Sequence, residues 1–322
     1  MSRTAVTDTL RNSHSAAVQR PYMAPTPPRL NHDGRSRAHD PNGRAGSLAL
    51  PDGRILATRH WPGTGMPLVV LHGLFDCSLG WRHVAAATRR PCIAFDLPGF
   101  GRSSMPANNR FADYARDILH ALDALGVKRF SLVGHSLGGN VATELAEQAP
   151  ERAINLTLLA PAGFAPVPVA ELLAGSSLGR AARRGVPLAL SNPLTAAGIY
   201  MAFVAHGHPP EIQLLGRVMR RAFKTAPGAL AANEALVAAA RDPDGFGHRR
   251  VRYKAPVSVL WGSRDILVPV SHADRVRDAL PQASVTVWEG MGHHPQRERP
   301  KQLNDYLAVA TRVKRAALPV AA

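Results

Sequence analysis

The chain has 322 residues, 45% of them apolar and 19% charged, with 27 Gly and 27 Pro, a balance that supports a sizeable core and excludes a wholly disordered or fibrous protein. Two cysteines, Cys77 and Cys92, exclude a disulfide framework or a Cys-built zinc site and fit a reducing compartment, so a cytoplasmic location is expected. The net charge of +16 arises from 34 Arg and 5 Lys scattered without any block of like charge, which reads as a basic surface and not as a nucleic-acid-binding face.

Residues 1–46 carry seven Arg, three Asp and five Pro with no apolar periodicity, so they read as a disordered tail, neither transit peptide nor secretory signal. From Ser47 the texture changes to short apolar runs alternating with helical patterns, the signature of parallel βαβ units. An opening hairpin is expected from 47–50 and 55–60 around Pro51-Asp52-Gly53, followed by strands at 68–71, 92–95, 130–133, 156–159, 257–260 and 285–288. Helices are expected at 81–88, 112–125, 137–148, 272–280 and 303–313, giving a mostly parallel eight-stranded sheet with flanking helices.

Between 164 and 254 the alternation stops and only helical patterns remain. This segment reads as a helical cap inserted into a core domain of 47–163 and 255–322. One stripe, Ile212, Leu215, Met219 and Phe223, recurs at three- and four-residue spacing, so it either packs among the cap helices or lines a substrate pocket, with Met219 and Phe223 as the pocket candidates. The longest apolar run, 194–205, is about 12 residues, well short of the ~20 that span a bilayer. No membrane span is expected.

Gly134-His135-Ser136-Leu137-Gly138 follows an apolar strand and precedes a helix. A nucleophile at the apex of such a turn adopts strained dihedrals, and small residues two before and two after it let the arms approach. The Leu137 N–H then lies at a helix N-terminus, where it can bind a developing oxyanion. A second match, Gly175-Ser176-Ser177-Leu178-Gly179, has no strand before it, so Ser177 reads as a decoy in a loop between cap helices.

A nucleophilic serine needs a base, and the base needs an orienting acid. Asp265 lies just past one strand and His293 in the loop after the last strand, in the chain order nucleophile, acid, base. Leu74, after the third strand in Leu71-His72-Gly73-Leu74, is placed to supply the second oxyanion N–H. His72, Asp76 and Asp96 read as loop-shaping residues. The pairs His206/His208 and His293/His294 lack carboxylates at zinc-like spacing, so neither metal nor other cofactor is expected.

Residues 47–313 resemble the α/β-hydrolase superfamily, specifically the capped serine hydrolases of esterase, lipase and carbon–carbon hydrolase type. The resemblance rests on His72-Gly73, Asp96-Leu97-Pro98-Gly99-Phe100-Gly101, Gly134-His135-Ser136-Leu137-Gly138-Gly139, Gly262-Ser263-Arg264-Asp265 and Gly292-His293-His294-Pro295 with Glu298 and Pro300. It implies a serine hydrolase acting on a small-molecule substrate, a small to medium carboxylic ester first, with carbon–carbon hydrolysis of a dienoate or diketone as the alternative. A hydrolase-fold ligand-binding protein with negligible turnover is the reading from a different class.

Overall fold

The computed structural model describes residues 40–175 and 245–312, with 177, 179, 192, 194–195, 197–198 and 234–239 between them. Eight strands form one sheet: β1 (Arg44–Ala49), β2 (Ile55–Trp61), β3 (Leu68–Leu71), β4 (Cys92–Phe95), β5 (Phe130–His135), β6 (Ala153–Leu159), β7 (Val257–Gly262) and β8 (Ala283–Trp288). Their spatial order is β1-β2-β4-β3-β5-β6-β7-β8. β2 pairs antiparallel with β1 and β4, and every pairing from β4 to β8 is parallel.

The uninterrupted apolar runs of the central strands follow from burial on both sides. In β3 the residues alternate between two cores: Val69 and Leu71 face one, Leu68 and Val70 the other. The first core is closed by α2 (Phe111–Ala124), α3 (Leu137–Gln148) and α5 (Ala273–Ala279), through Tyr114, Ile118 and Leu122, Val141 and Leu145, and Val276. The second is closed by α1 (Arg82–Ala87) and the last helix, α7 (Pro300–Ala310), through Val84, Leu303 and Leu307, with Trp81 between the layers. On α2, Tyr114, Ile118, Ala121 and Leu122 fall on one helical face, so periodicity alone locates its buried side.

Three expectations need correction. The tail was expected to run to residue 46, yet β1 begins at Arg44. The cause lies in β2, where Arg59 donates to the carbonyls of Asn42 (2.7 Å) and Gly43 (3.0 Å) and the Trp61 indole to that of Pro41 (3.2 Å). Ser177, expected in a loop, has helical backbone just beyond α4 (Pro168–Gly175) and is exposed. The last helix starts at Pro300 instead of 303, because a proline at the first helical position loses no hydrogen bond.

Of segment 164–254, the described parts include α4, a helical stretch at 234–239 and the return from residue 245. The return is anchored: Arg249 makes a two-pronged contact with Glu147 (2.8 and 2.9 Å), whose carboxylate also accepts the Arg252 N–H. Asn109 donates to Glu234 (2.9 Å), joining the 234–239 stretch to the core. Ile212, Leu215, Met219 and Phe223 lie outside the described residues.

Candidate active site

The groups singled out in the sequence gather at the carboxyl ends of β3, β5, β7 and β8, the edge at which parallel sheets present their loops. Ser136 sits between β5 and α3 with φ 52° and ψ −119°, a conformation costly for any residue with a Cβ. Three backbone bonds hold it there: its N–H donates to Leu159 (2.9 Å), and its carbonyl accepts from Gly139 (2.8 Å) and Ala162 (3.1 Å).

The glycines on either side are sterically required. A Cβ on Gly134 would strike the Gly138 carbonyl and approach the Ala142 Cβ to 2.7 Å, and one on Gly138 would strike the His72 and Leu71 carbonyls. Gly73 is equally close to the elbow, its imagined Cβ 3.0 Å from that of Ser136. This contact brings the Leu74 loop against the serine. Among the described residues no acceptor takes the N–H of Leu74 or Leu137, leaving both donors available to a ligand oxygen.

His293 and Asp265 meet at 2.7 Å, Nδ1 to Oδ2, with both side chains buried. A carboxylate only accepts, so Nδ1 carries the proton and Nε2 is left as the basic nitrogen. The other oxygen of Asp265 accepts the Leu267 and Val268 N–H groups, each at 3.0 Å. The aspartate therefore shapes its own turn and orients the imidazole at once.

Three contacts escaped the sequence reading. His135, directly before the serine, is fully buried and lies with its ring centroid 4.8 Å from that of His293. Its Nε2 lies 2.8 Å from the His293 carbonyl and its Nδ1 3.1 Å from the Gln296 amide nitrogen. Only the neutral Nε2–H tautomer satisfies both. Desolvation, reinforced by His293 and the Arg297 charge, holds its pKa well below the ordinary histidine range, consistent with that form.

The second contact is the buried pair Asp76–Arg297 at 2.5 Å, and the third is Glu298, whose two oxygens accept the Gly292 and His294 N–H groups at 2.8 Å each. Glu298 was visible only as part of a motif, and nothing in sequence spacing connects residue 76 with 297. His72 lies beneath the site, its Nδ1–H donating to Gly73 (2.8 Å) and its Nε2 accepting from Leu97 (3.0 Å). Asp96 accepts the Ser78 and Arg102 N–H groups.

His135, His293 and His294 bring ring nitrogens within 4.8 Å of one another, a grouping that the sequence order conceals. As a metal site it is poorly prepared. Both nitrogens of His135 and the Nδ1 of His293 are already hydrogen-bonded, so an ion would have to displace those partners.

The sequence profile of the alpha/beta hydrolase fold matches residues 66–300. The chain belongs to this family, and it is a hydrolase. It is 31% identical over 265 residues to the 2-hydroxy-6-oxononadienedioate/2-hydroxy-6-oxononatrienedioate hydrolase of Paraburkholderia phymatum, covering 77% of this chain and 88% of that one. It is 32% identical over 276 residues to the dihydrolipoyllysine-residue acetyltransferase component of the acetoin cleaving system of Pseudomonas putida, covering 84% and 70%. Among solved structures, a bacterial membrane phospholipase A superposes with a TM-score of 0.69 at 27% identity, over 84% of this chain and 86% of that one. Among the described residues of this hydrolase, no helix is long and apolar enough to cross a membrane.

Proposed function

We propose that this hydrolase cleaves a carboxylic ester of small to medium size by acyl transfer through Ser136. The observation that carries the reading is the strained Ser136 apex, linked through its neighbour His135 to the buried Asp265–His293 pair, with the Leu74 and Leu137 N–H groups open. In this reading Nε2 of His293 takes the hydroxyl proton as Ser136 Oγ attacks the ester carbonyl. The tetrahedral oxyanion receives hydrogen bonds from the Leu74 and Leu137 N–H groups. Collapse expels the alkoxide, which leaves with the proton held by His293, and water activated by the same imidazole releases the acid and restores the serine. In this reading segment 164–254 supplies a cap, and Met219 and Phe223, which lie outside the described residues, are the candidates for its acyl pocket.

The likeness to the Paraburkholderia phymatum hydrolase favours a second reading, carbon–carbon cleavage of a dienoate with the same three side chains. The ester is preferred because its leaving alkoxide takes the very proton that His293 removed, with no further group required. The deciding experiment assays the purified chain against aryl esters of graded acyl length beside a ring-fission dienoate, together with fluorophosphonate labelling of Ser136. Ester turnover exceeding dienoate turnover is expected. The reverse order selects the second reading, and inertness towards the panel and the probe removes both.

A further inference from the structure

The Pro295–Glu298 helix, here α6, is too short to contribute much packing, yet its last three residues each reach a different part of the site. Gln296 donates to His135, which precedes the nucleophile. Arg297 pairs with Asp76, two residues beyond Leu74 in the loop of the oxyanion donor. Glu298 takes the backbone N–H on each side of His293.

Resting on the serine-hydrolase reading above, we propose that α6 is the positioning element of the site: Gln296, Arg297 and Glu298 register the nucleophile elbow, the oxyanion loop and the base loop against one another. The main chain of His293 is held at three points, the amide nitrogens of Gly292 and His294 by Glu298 and its own carbonyl by His135. A loop tied this way cannot shift its imidazole along or away from the serine without breaking a buried bond.

The Gln296 contact has a more specific consequence. His135 can donate to the His293 carbonyl only while its proton sits on Nε2, and the Gln296 amide, facing Nδ1, stabilises that tautomer. Gln296 is fully buried, so its donor has no water to compete for it. Through this relay a side chain that never touches substrate sets the distance between base and nucleophile. The Asp76–Arg297 pair does the equivalent for the oxyanion loop: Asp76 Oδ1 also accepts the Cys77 N–H at 2.7 Å, so the charge pair grips the backbone just past Leu74.

A helix that merely closes the fold would show its loss in stability alone. A positioning helix shows it in kcat, because displacement by about 1 Å at the reacting atoms lowers rates by about 10²-fold. The test compares wild type, Glu298→Gln and Gln296→Met as full chains in kcat, KM, fluorophosphonate labelling rate and melting temperature. Proton NMR of the His135 ring N–H in wild type accompanies these measurements.

Glu298→Gln keeps one acceptor but turns an N–H donor towards the second amide. It is expected to lower kcat and the labelling rate by about 10²-fold while KM stays within about threefold. Gln296→Met conserves volume and is expected to lower kcat by about 10-fold and to erase the protected His135 ring N–H signal. Folded variants with wild-type kcat overturn the proposal, whatever their melting temperatures. So does an Nδ1–H or charged His135 in wild type at pH 7, an outcome that stands even where a variant fails to fold. A wild type inert to ester, dienoate and probe instead sinks the hydrolytic reading, and the NMR result then still reports on the registration.

Discussion

Ser136 is the strained residue at the centre of the site, and the strain is testable apart from the chemistry. With φ at 52° and ψ at −119°, a side chain at this position costs about 1–3 kcal/mol that glycine does not incur. Urea unfolding should therefore show Ser136→Gly more stable than Ser136→Ala by about 1–2 kcal/mol, although both lack the proposed nucleophile; equal stabilities would mean the turn relaxes without strain. In kinetics, Ser136→Ala is expected to lose fluorophosphonate labelling and about 10⁶-fold in kcat. Ser177→Ala, on exposed helical backbone, should behave as wild type. Asp265→Asn keeps the shape of the pair at 2.7 Å but favours the wrong imidazole tautomer, so a loss of about 10⁴-fold is expected. A near-wild-type Asp265→Asn would contradict the assignment of acid and base.

Among the elements, the β5–α3 junction tolerates least. A methyl group on Gly138 would meet backbone carbonyls of residues 71 and 72, which cannot move without displacing β3. Gly138→Ala should consequently destabilise the fold by several kcal/mol, on the order of other severe overpacking, and its melting temperature is the readout. The segment 164–254, proposed as a cap, calls for a different measurement. If Met219 and Phe223 line the acyl pocket, truncating either to Ala should shift the preferred acyl length upward, by the 1–3 kcal/mol or so that apolar pockets discriminate, and leave probe labelling of Ser136 unchanged. If they are core, the same truncations should cost about 2–5 kcal/mol of stability with an unchanged acyl profile.

For the whole molecule, the buried imidazoles give a pH dependence of definite sign. His135 and His294 both have pKa values held well below the ordinary 6.5, by desolvation first and then by neighbouring histidines and Arg297, and His60 is lowered in the same direction by burial and Arg44. On acidification below about 6.5 the unfolded chain takes up protons that the native chain refuses, so stability is complete above that pH and falls as pH drops towards the native pKa values. His135 and His294 both act in this direction, so stability is expected to fall steadily from pH 7 to pH 5. Urea midpoints between pH 7 and pH 5 check this, and a flat profile would show that these rings take up protons alike in the folded and unfolded chain.

How far the chain could be read without coordinates depended on whether the signal was local. The strand runs, the α2 stripe and the glycine pair around Ser136 are written in a few consecutive residues, because backbone geometry and two-sided burial act at that range. Strand order also left its mark: Asp265 and His293 could be picked out because each lies just beyond a strand end. Their 2.7 Å meeting required the sheet. The start of β1 at Arg44 depended on donors from Arg59 and Trp61, partners that no window around residue 44 contains. The same holds for α6. Gln296, Arg297 and Glu298 are polar residues whose isolated sequence reads as a solvated turn, and burial converts them into partners for His135, Asp76 and the amides beside His293. Local sequence dictates conformation through sterics and periodicity. Which buried polar group satisfies which other one is settled only when distant segments exclude water together and each donor must find its acceptor within the protein.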